Sequence, residues 1–212
     1  SGSGHFGSVS RFKTELAAEL CAVLAFSAIK NNDKVGLIIF TDEIELYVPP
    51  QKGSKHVLRV IREVLYFNPK SRGTDIPKAL GYLNGVIHRK AVVFLVSDFM
   101  AKGYEKDLRV AGRRHDLIAV TITDPRELTL PSVGRIAVRD AETGNESLIN
   151  TNDSRLRTAY EREAEEHIRR RNEILRRNRV DVMHASTDKL YVDELYRFFK
   201  MRERRLSGRA AL

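Results

Sequence analysis

Ala91-Val-Val-Phe-Leu-Val-Ser-Asp98-Phe-Met100 is the stretch of this chain that decides its fold. It begins with six apolar residues in a row, rich in β-branched side chains and without polar alternation. Such a run is typical of a strand buried on both faces, as in a parallel sheet covered by helices on each side. Polarity then changes abruptly at Ser97 and Asp98. Ligands of open α/β sheets bind beyond the carboxyl ends of strands, so Asp98 is the first candidate for a functional residue. A capping role in the following loop is the alternative.

Strand and helix patterns alternate on both sides of this run, which predicts an α/β fold with a doubly wound, mostly parallel sheet between two layers of helices. We expect one domain over residues 1–206 and a disordered tail over 207–212. A short antiparallel edge strand is predicted at 44–48, ending at Pro49-Pro50, and a β-hairpin near 135–149. The predicted helices cover 11–30, 54–67, 104–114, 154–177 and 190–205, with another starting at Ile76 behind the N-cap Asp75; the remaining strands are 35–40, 117–122 and 180–185.

Composition narrows the classes of protein to consider. The chain has 212 residues, a formal net charge of +9 and one cysteine, so internal disulfides are excluded and a reducing, cytoplasmic setting is expected. The positive excess lies largely between Arg155 and Arg209, where it is mixed with glutamates. This mixture favours a solvated helix face over a nucleic-acid-binding groove. No stretch has the length of a membrane helix or the pattern of a signal peptide. Because the chain begins with Ser-Gly-Ser-Gly and not with an initiator methionine, we expect it to be a fragment.

Three short polar segments precede helices or follow strands: Ser1-Gly2-Ser3, Gly73-Thr74-Asp75 and Ser97-Asp98. In a doubly wound sheet such segments can converge at the carboxyl edge. Together they offer hydroxyl and carboxylate oxygens, which are the ligands that Mg²⁺ prefers, usually alongside waters or an outside ligand. A site with few charged ligands leaves the ion electrophilic and able to bind a partner's carboxylate.

These residues resemble the metal-ion-dependent adhesion site of von Willebrand factor type A domains, whose motif is Asp-x-Ser-x-Ser, then a Thr, then an Asp. Ser1 and Ser3 match the two serines, Thr74 the threonine and Asp98 the last aspartate. The resemblance extends over almost the whole chain to the bacterial family called "domain of unknown function 58". It rests on several further blocks: Phe6-Gly7, Asp33-Lys34-Val35-Gly36-Leu37, Val48-Pro49-Pro50, Lys52-Gly53, His56-Val57-Leu58, Asp124-Pro125-Arg126-Glu127 and Asp140-Ala141-Glu142-Thr143-Gly144.

The resemblance implies a cytoplasmic, non-enzymatic protein-binding module. In it Ser1, Ser3 and Thr74 would ligate Mg²⁺ (with Mn²⁺ and Ca²⁺ as alternatives), and Asp98 would ligate directly or through water. A partner's Glu or Asp would fill the open position, and a MoxR-type AAA ATPase is the implied partner in complex assembly or chaperone-like activity. Membrane segments are expected only upstream. The first Asp of the motif is expected two residues before Ser1, on a strand in the middle of the sheet.

Two other interpretations stay open. In the first, Asp75, Asp98 and Asp124 form the acidic cluster of a metal-dependent phosphoester hydrolase, and the basic charge suits a nucleic-acid substrate. Against it, Asp75 is a good N-cap and Asp124 precedes Pro125 in a turn. In the second, the motif no longer binds metal and the domain is a scaffold.

Overall fold

The structure is a computed structural model that describes residues 13–71, 73–139 and 146–209. Ser1 and Ser3 therefore lie outside the described residues. In chain order the described elements are α1 (Lys13–Lys30), β1 (Val35–Phe40), β2 (Ile44–Gln51), α2 (Ser54–Leu65), α3 (Ile76–Val86), β3 (Val92–Ser97), α4 (Glu105–Arg114), β4 (Asp116–Thr123), β5 (Arg135–Arg139), β6 (Glu146–Asn150), α5 (Ser154–Arg177), β7 (Asp181–Ser186) and α6 (Tyr191–Arg209).

Strand β4 is the centre of a parallel sheet with the order β3-β4-β7. Its side chains alternate between two hydrophobic clusters because successive residues of a strand point to opposite faces. Leu117 and Ala119 belong to a cluster that also contains residues of α3, α4 and α5. Ile118 and Val120 belong to a second cluster, with residues of α1 and α6. Helices cover both faces of the sheet, which confirms the doubly wound α/β architecture.

Strand β3, which contains the apolar run, is less enclosed than β4 in the described part of the chain. Among the described residues it pairs only with β4, and Val92 at its start is 58% exposed. The fully enclosed strand is β4, whose six inner residues are all buried. An apolar run predicts that a strand can be buried, but the neighbouring strands decide whether it is.

Strands β1 and β2 form a separate antiparallel pair, and β1 and β3 contribute to the same hydrophobic cluster. Ile38 and Phe40 of β1 pack against the cluster that contains Leu95 of β3, although the two strands are not paired with each other among the described residues. The expected strand upstream of Ser1 would belong between them, and that expectation stays a prediction.

The predicted short edge strand and hairpin are present, with one change of boundary. Strand β2 pairs antiparallel with β1 but continues through Pro49-Pro50 to Gln51, instead of ending at the prolines. The register shifts between the pairs Val35–Gln51 and Leu37–Val48. An edge strand tolerates prolines at such an irregularity because the missing N–H groups are not needed for pairing. Strands β5 and β6 form the predicted hairpin.

Two helix starts agree with their predicted N-caps, and two helix ends differ from the predicted residues. Asp75 and Asp153 cap α3 and α5 by accepting hydrogen bonds from backbone N–H groups of the first turn. Helix α2 ends at Leu65, two residues before the predicted end. Helix α6 continues to Arg209, which lies inside the segment predicted as a disordered tail from 207 onward.

Candidate functional site

Asp98 lies immediately after β3, in a tight turn that its neighbours hold in place. The backbone N–H of Met100 donates to Asp98 Oδ1 over 3.2 Å, and the N–H of Phe99 donates to the hydroxyl of Ser97 over 3.1 Å. Phe99 has a φ of 58°, in the left-handed region that non-glycine residues seldom adopt. Its ring is fully buried, 5.8 Å from the ring of Tyr104. Burial of this ring keeps the unusual backbone conformation in place and fixes the direction of Asp98.

A lysine ammonium group lies directly on the Asp98 carboxylate. Lys13 Nζ is 3.2 Å from Asp98 Oδ2 and 2.5 Å from Glu127 Oε1. The side chains of Lys13 and Asp98 are only 5% and 9% exposed, so this contact is almost free of water. Buried charges require a partner of opposite sign, because their desolvation is costly. Lys13 therefore pairs with two carboxylates that follow the ends of two adjacent strands.

Glu127 is positioned by a short 3-10 turn, Pro125–Glu127, that follows β4. Asp124 accepts a hydrogen bond from the N–H of Arg126 over 2.8 Å, and Glu127 Oε2 accepts one from the N–H of Asp124 over 3.1 Å. This reciprocal arrangement is a capping box. Asp124 is fully buried and also accepts a hydrogen bond from the hydroxyl of Thr187. Asp124 thus has a structural role, and Glu127 both completes the cap and faces Lys13.

A second layer of polar side chains surrounds the pair on the side of α4 and α5. Arg171 is buried, and its pKa is lowered by burial while Tyr104, Asp98 and Glu127 raise it. Burial, together with the carboxylates of Glu105 and Asp98, raises the pKa of Tyr104 to about 12, so the phenol keeps its proton. The site therefore contains two cations and two carboxylates that are close enough to influence one another.

His167 of α5 belongs to the same layer. Burial and then the charge of Arg171 lower the pKa of its imidazole, while Asp98 and a backbone hydrogen bond with Phe99 oppose this change. Within the described residues its Nε2 is buried and has no hydrogen-bond partner. At neutral pH the ring is therefore uncharged and adds no third cation to the site.

Thr74 lies in a loop that is anchored to the end of β1. The N–H of Asp75 donates to the carbonyl of Thr41 over 2.8 Å, and Lys78 Nζ donates to the carbonyl of Asp42 over 3.0 Å. A side chain at Gly73 would come within 3.1 Å of Asp42 Cβ, so the loop passes close to the strand end. Hydrogen bonding from Ser71 is the main cause of the lowered pKa of Asp42, which keeps this carboxylate charged.

The structure thus gives Thr74 and Asp98 different immediate neighbours, and Ser1 and Ser3 lie outside the described residues. Sequence reasoning missed Lys13, Glu127 and Arg171. Two signals could have indicated them. Lys13 continues the buried stripe of α1 at the spacing of Leu16 and Leu20, and Asp124-x-x-Glu127 has the spacing of a capping box.

The carboxylates of the proposed hydrolase do not form a common cluster. Asp75 accepts from the N–H of Lys78, Asp124 caps the turn after β4, and Asp98 pairs with Lys13. Within residues 13–71, 73–139 and 146–209, no three His, Cys, Asp or Glu side chains are arranged to hold a metal ion. In the same part of the chain, none of the helices is long and apolar enough to cross a membrane.

Comparisons with known proteins agree with one another. Residues 1–170 match the family described as "Protein of unknown function DUF58". Uncharacterized proteins of Mycobacterium tuberculosis and Mycobacterium bovis are each 26% identical over 207 residues, covering 96% of this chain. The chain spans 65% of the length of these relatives. The crystal structure of the conserved hypothetical protein BatB from Bacteroides thetaiotaomicron aligns with a TM-score of 0.57 at 16% identity, over 94% of this chain and 95% of that one. At this identity the likeness concerns the fold.

Proposed function

This chain belongs to the DUF58 family, and we propose that it is a non-enzymatic protein-binding module that captures a partner's carboxylate through a Mg²⁺ ion at the carboxyl edge of its sheet. The observation that carries the proposal is the placement of Asp98. It follows a β-strand directly, is nearly buried, and is held by a turn whose geometry depends on the core. Its carboxylate already pairs with the Lys13 ammonium group, so a metal ion at this position would have to compete with that cation.

The path of the chain supports a common location for Thr74 and Asp98. Helix α3 begins beside Thr41, at the end of β1, and runs to Val86, six residues before β3 starts. Although β2 and α2 precede it in the chain, α3 thus runs from the end of β1 towards the start of β3, as a crossover helix between parallel strands does. In that arrangement both β1 and β3 end at the same edge of the fold. The loop of Thr74 and the turn of Asp98 would then border one site.

The residues that would hold the ion are Ser1, Ser3, Thr74 and Asp98, with Mn²⁺ or Ca²⁺ as alternative ions. The described members fit a hard cation chemically, because a hydroxyl and a carboxylate are oxygen donors. When bound, the ion would supply an open coordination position for an acidic side chain of the partner. The chain's own contribution is to orient Asp98 through the Phe99 turn and to exclude water from one side of it.

The partner we propose is a protein that offers a Glu or an Asp, and the family resemblance favours a MoxR-type AAA ATPase in complex assembly or chaperone-like activity. The proposed compartment is the cytoplasm. A hydrolase that acts on nucleic acid is less well supported. Of the three aspartates it would need, Asp75 and Asp124 are engaged as caps of the segments that follow them.

A metal titration followed by thermal unfolding tests the proposal. A ligand that binds only the folded state stabilises it by mass action, by about 2.7 kcal/mol at a concentration 100 times its Kd. For a chain of this size that corresponds to a rise in Tm of about 5 to 10 °C. We expect Mg²⁺ and Mn²⁺ to produce such a rise, and we expect Asp98→Ala to abolish it.

The matched control is Asp33→Ala, which removes an exposed carboxylate in the turn after α1 and should leave the metal response unchanged. A version of the chain that is extended at its N terminus to include the expected Asp should show the larger shift. If the extended and folded protein shows no shift with either ion, the metal mechanism is wrong and a metal-free scaffold is the better description.

A further inference from the structure

The Asp98 carboxylate already has a cation, and that cation belongs to the chain itself. Lys13 Nζ contacts Oδ2, and the N–H of Met100 donates to Oδ1, so both oxygens are engaged. The ammonium group is also fixed from its other side by Glu127 at 2.5 Å. Lys13 stands at the first residue of α1, immediately after the glycine-rich segment that carries Ser1 and Ser3.

Among the described residues, the two carboxylates that contact Lys13 are matched by two cations. Asp98 and Glu127 contribute two negative charges, and Lys13 and Arg171 contribute two positive charges that are all but removed from water. A divalent ion placed on Asp98 would meet the Lys13 ammonium group at a distance of a few ångströms. Two cations on one carboxylate repel each other strongly in a poorly solvated site. Either Lys13 has to leave Asp98, or another carboxylate has to compensate the added charge.

We propose that Lys13 is an internal competitor of Mg²⁺ for Asp98, which keeps the binding site closed until metal and the partner's carboxylate arrive together. This inference rests on the proposed metal-dependent function and adds its regulation. After leaving Asp98, the Lys13 ammonium group would stay paired with Glu127. Lys13 can therefore release Asp98 without becoming an unpaired buried charge. The partner's acidic side chain restores the charge balance of the site, which makes metal binding and partner binding mutually reinforcing.

Direct measurement of Mn²⁺ binding by the electron paramagnetic resonance signal of the free ion tests this inference. Lys13→Met removes the charge and keeps the length of the side chain. Lys13→Gln also removes the charge but retains hydrogen-bond donors for the two carboxylates, which protects folding. We expect both variants to bind Mn²⁺ at least about tenfold more tightly than the unaltered chain, because the competitor is gone. Lys13→Arg keeps the charge and should show no such gain.

Lys30→Met is the matched control, since it removes the same charge from an exposed position at the other end of α1. An equal gain in this control would overturn the inference by showing a general effect of net charge. Tight binding by the unaltered chain, with no gain in either neutral variant of Lys13, would overturn the role of Lys13 and leave the metal site standing. Absence of Mn²⁺ binding in every folded variant would overturn the proposed metal function itself.

Discussion

At each end of the parallel sheet one cationic side chain bridges two carboxylates, and the surroundings of the two bridges differ. At the carboxyl ends, Lys13 bridges Asp98 and Glu127. At the amino ends, Arg202 of α6 bridges Asp116 of β4 and Asp181 of β7, the latter over 2.8 Å. Each bridge joins one cation to two carboxylates from neighbouring segments. They differ in the solvation of one carboxylate: Asp98 is 9% exposed and Asp116 is 36% exposed, whereas Glu127 and Asp181 are similar at 27% and 30%.

This difference in solvation separates a structural ion pair from a candidate site. Partly exposed charges are hydrated, so each can lose its partner at little cost, and the bridge mainly fastens α6 to the starts of two strands. Nearly buried carboxylates require a cation, which makes the choice of cation significant. The proposed exchange of Lys13 for a metal ion is therefore assigned to the carboxyl end.

The largest effect is expected from removing the buried cation. Lys13→Met removes the cation that contacts both Asp98 and Glu127, and breaking a buried ion pair on one side costs about 3 kcal/mol or more. Urea unfolding in the absence of metal should show this loss in the free energy of unfolding. A loss below about 1 kcal/mol would mean that Asp98 is effectively solvated, and the contrast between the two ends would disappear.

A smaller effect is expected at the amino ends. Arg202→Met should cost about 1 kcal/mol, because its partners are partly solvated, although the guanidinium group also lies 5.7 Å from the centre of the Phe198 ring. The salt dependence of the two unfolding free energies tests the comparison further. Raising the ionic strength to about 1 M shortens the screening length to about 3 Å and should reduce the cost of Arg202→Met more than that of Lys13→Met. Equal salt sensitivity would contradict the assignment of different solvation.

The smallest effect on stability is expected from His115, and only at acidic pH. His115, beside Asp116, is buried, and burial followed by the charge of Arg114 lowers the pKa of its imidazole. The unfolded chain therefore binds a proton more readily than the folded chain, so the stability contributed at neutral pH is lost as pH falls below about 6.5. His115→Leu should flatten the fall of the unfolding free energy between about pH 7 and pH 5. An unchanged slope would show that this ring is not desolvated in the native state.

Local patterns in the sequence were sufficient for the order and type of the elements. Asp75 and Asp153 mark helix starts because a carboxylate beside free N–H groups is a local signal, and β1, β2, β5 and β6 are formed by neighbours in the chain. The pairing of β3 with β4 was not predictable in this way. Pairing is decided between segments far apart in sequence, and an apolar run is compatible with either position.

The site shows the same limit. Asp98 could be singled out because it ends an apolar strand, but its contact with Lys13 joins residues 85 positions apart. A lysine on the buried face of an apolar helix predicts a buried charge, but the sequence does not show which carboxylate pairs with it. That partner, Asp98, is identified only by the packing of α1 against the sheet. The same packing brings Lys13 to Glu127.

The buried ring of Phe99 gives Asp98 a mechanical connection to the interior. A pull on the carboxylate is transmitted through one peptide unit to a side chain enclosed by the core and stacked edgewise on Tyr104, the residue that precedes α4. A load applied by a partner at this point would be borne by the body of the domain and not by a compliant loop.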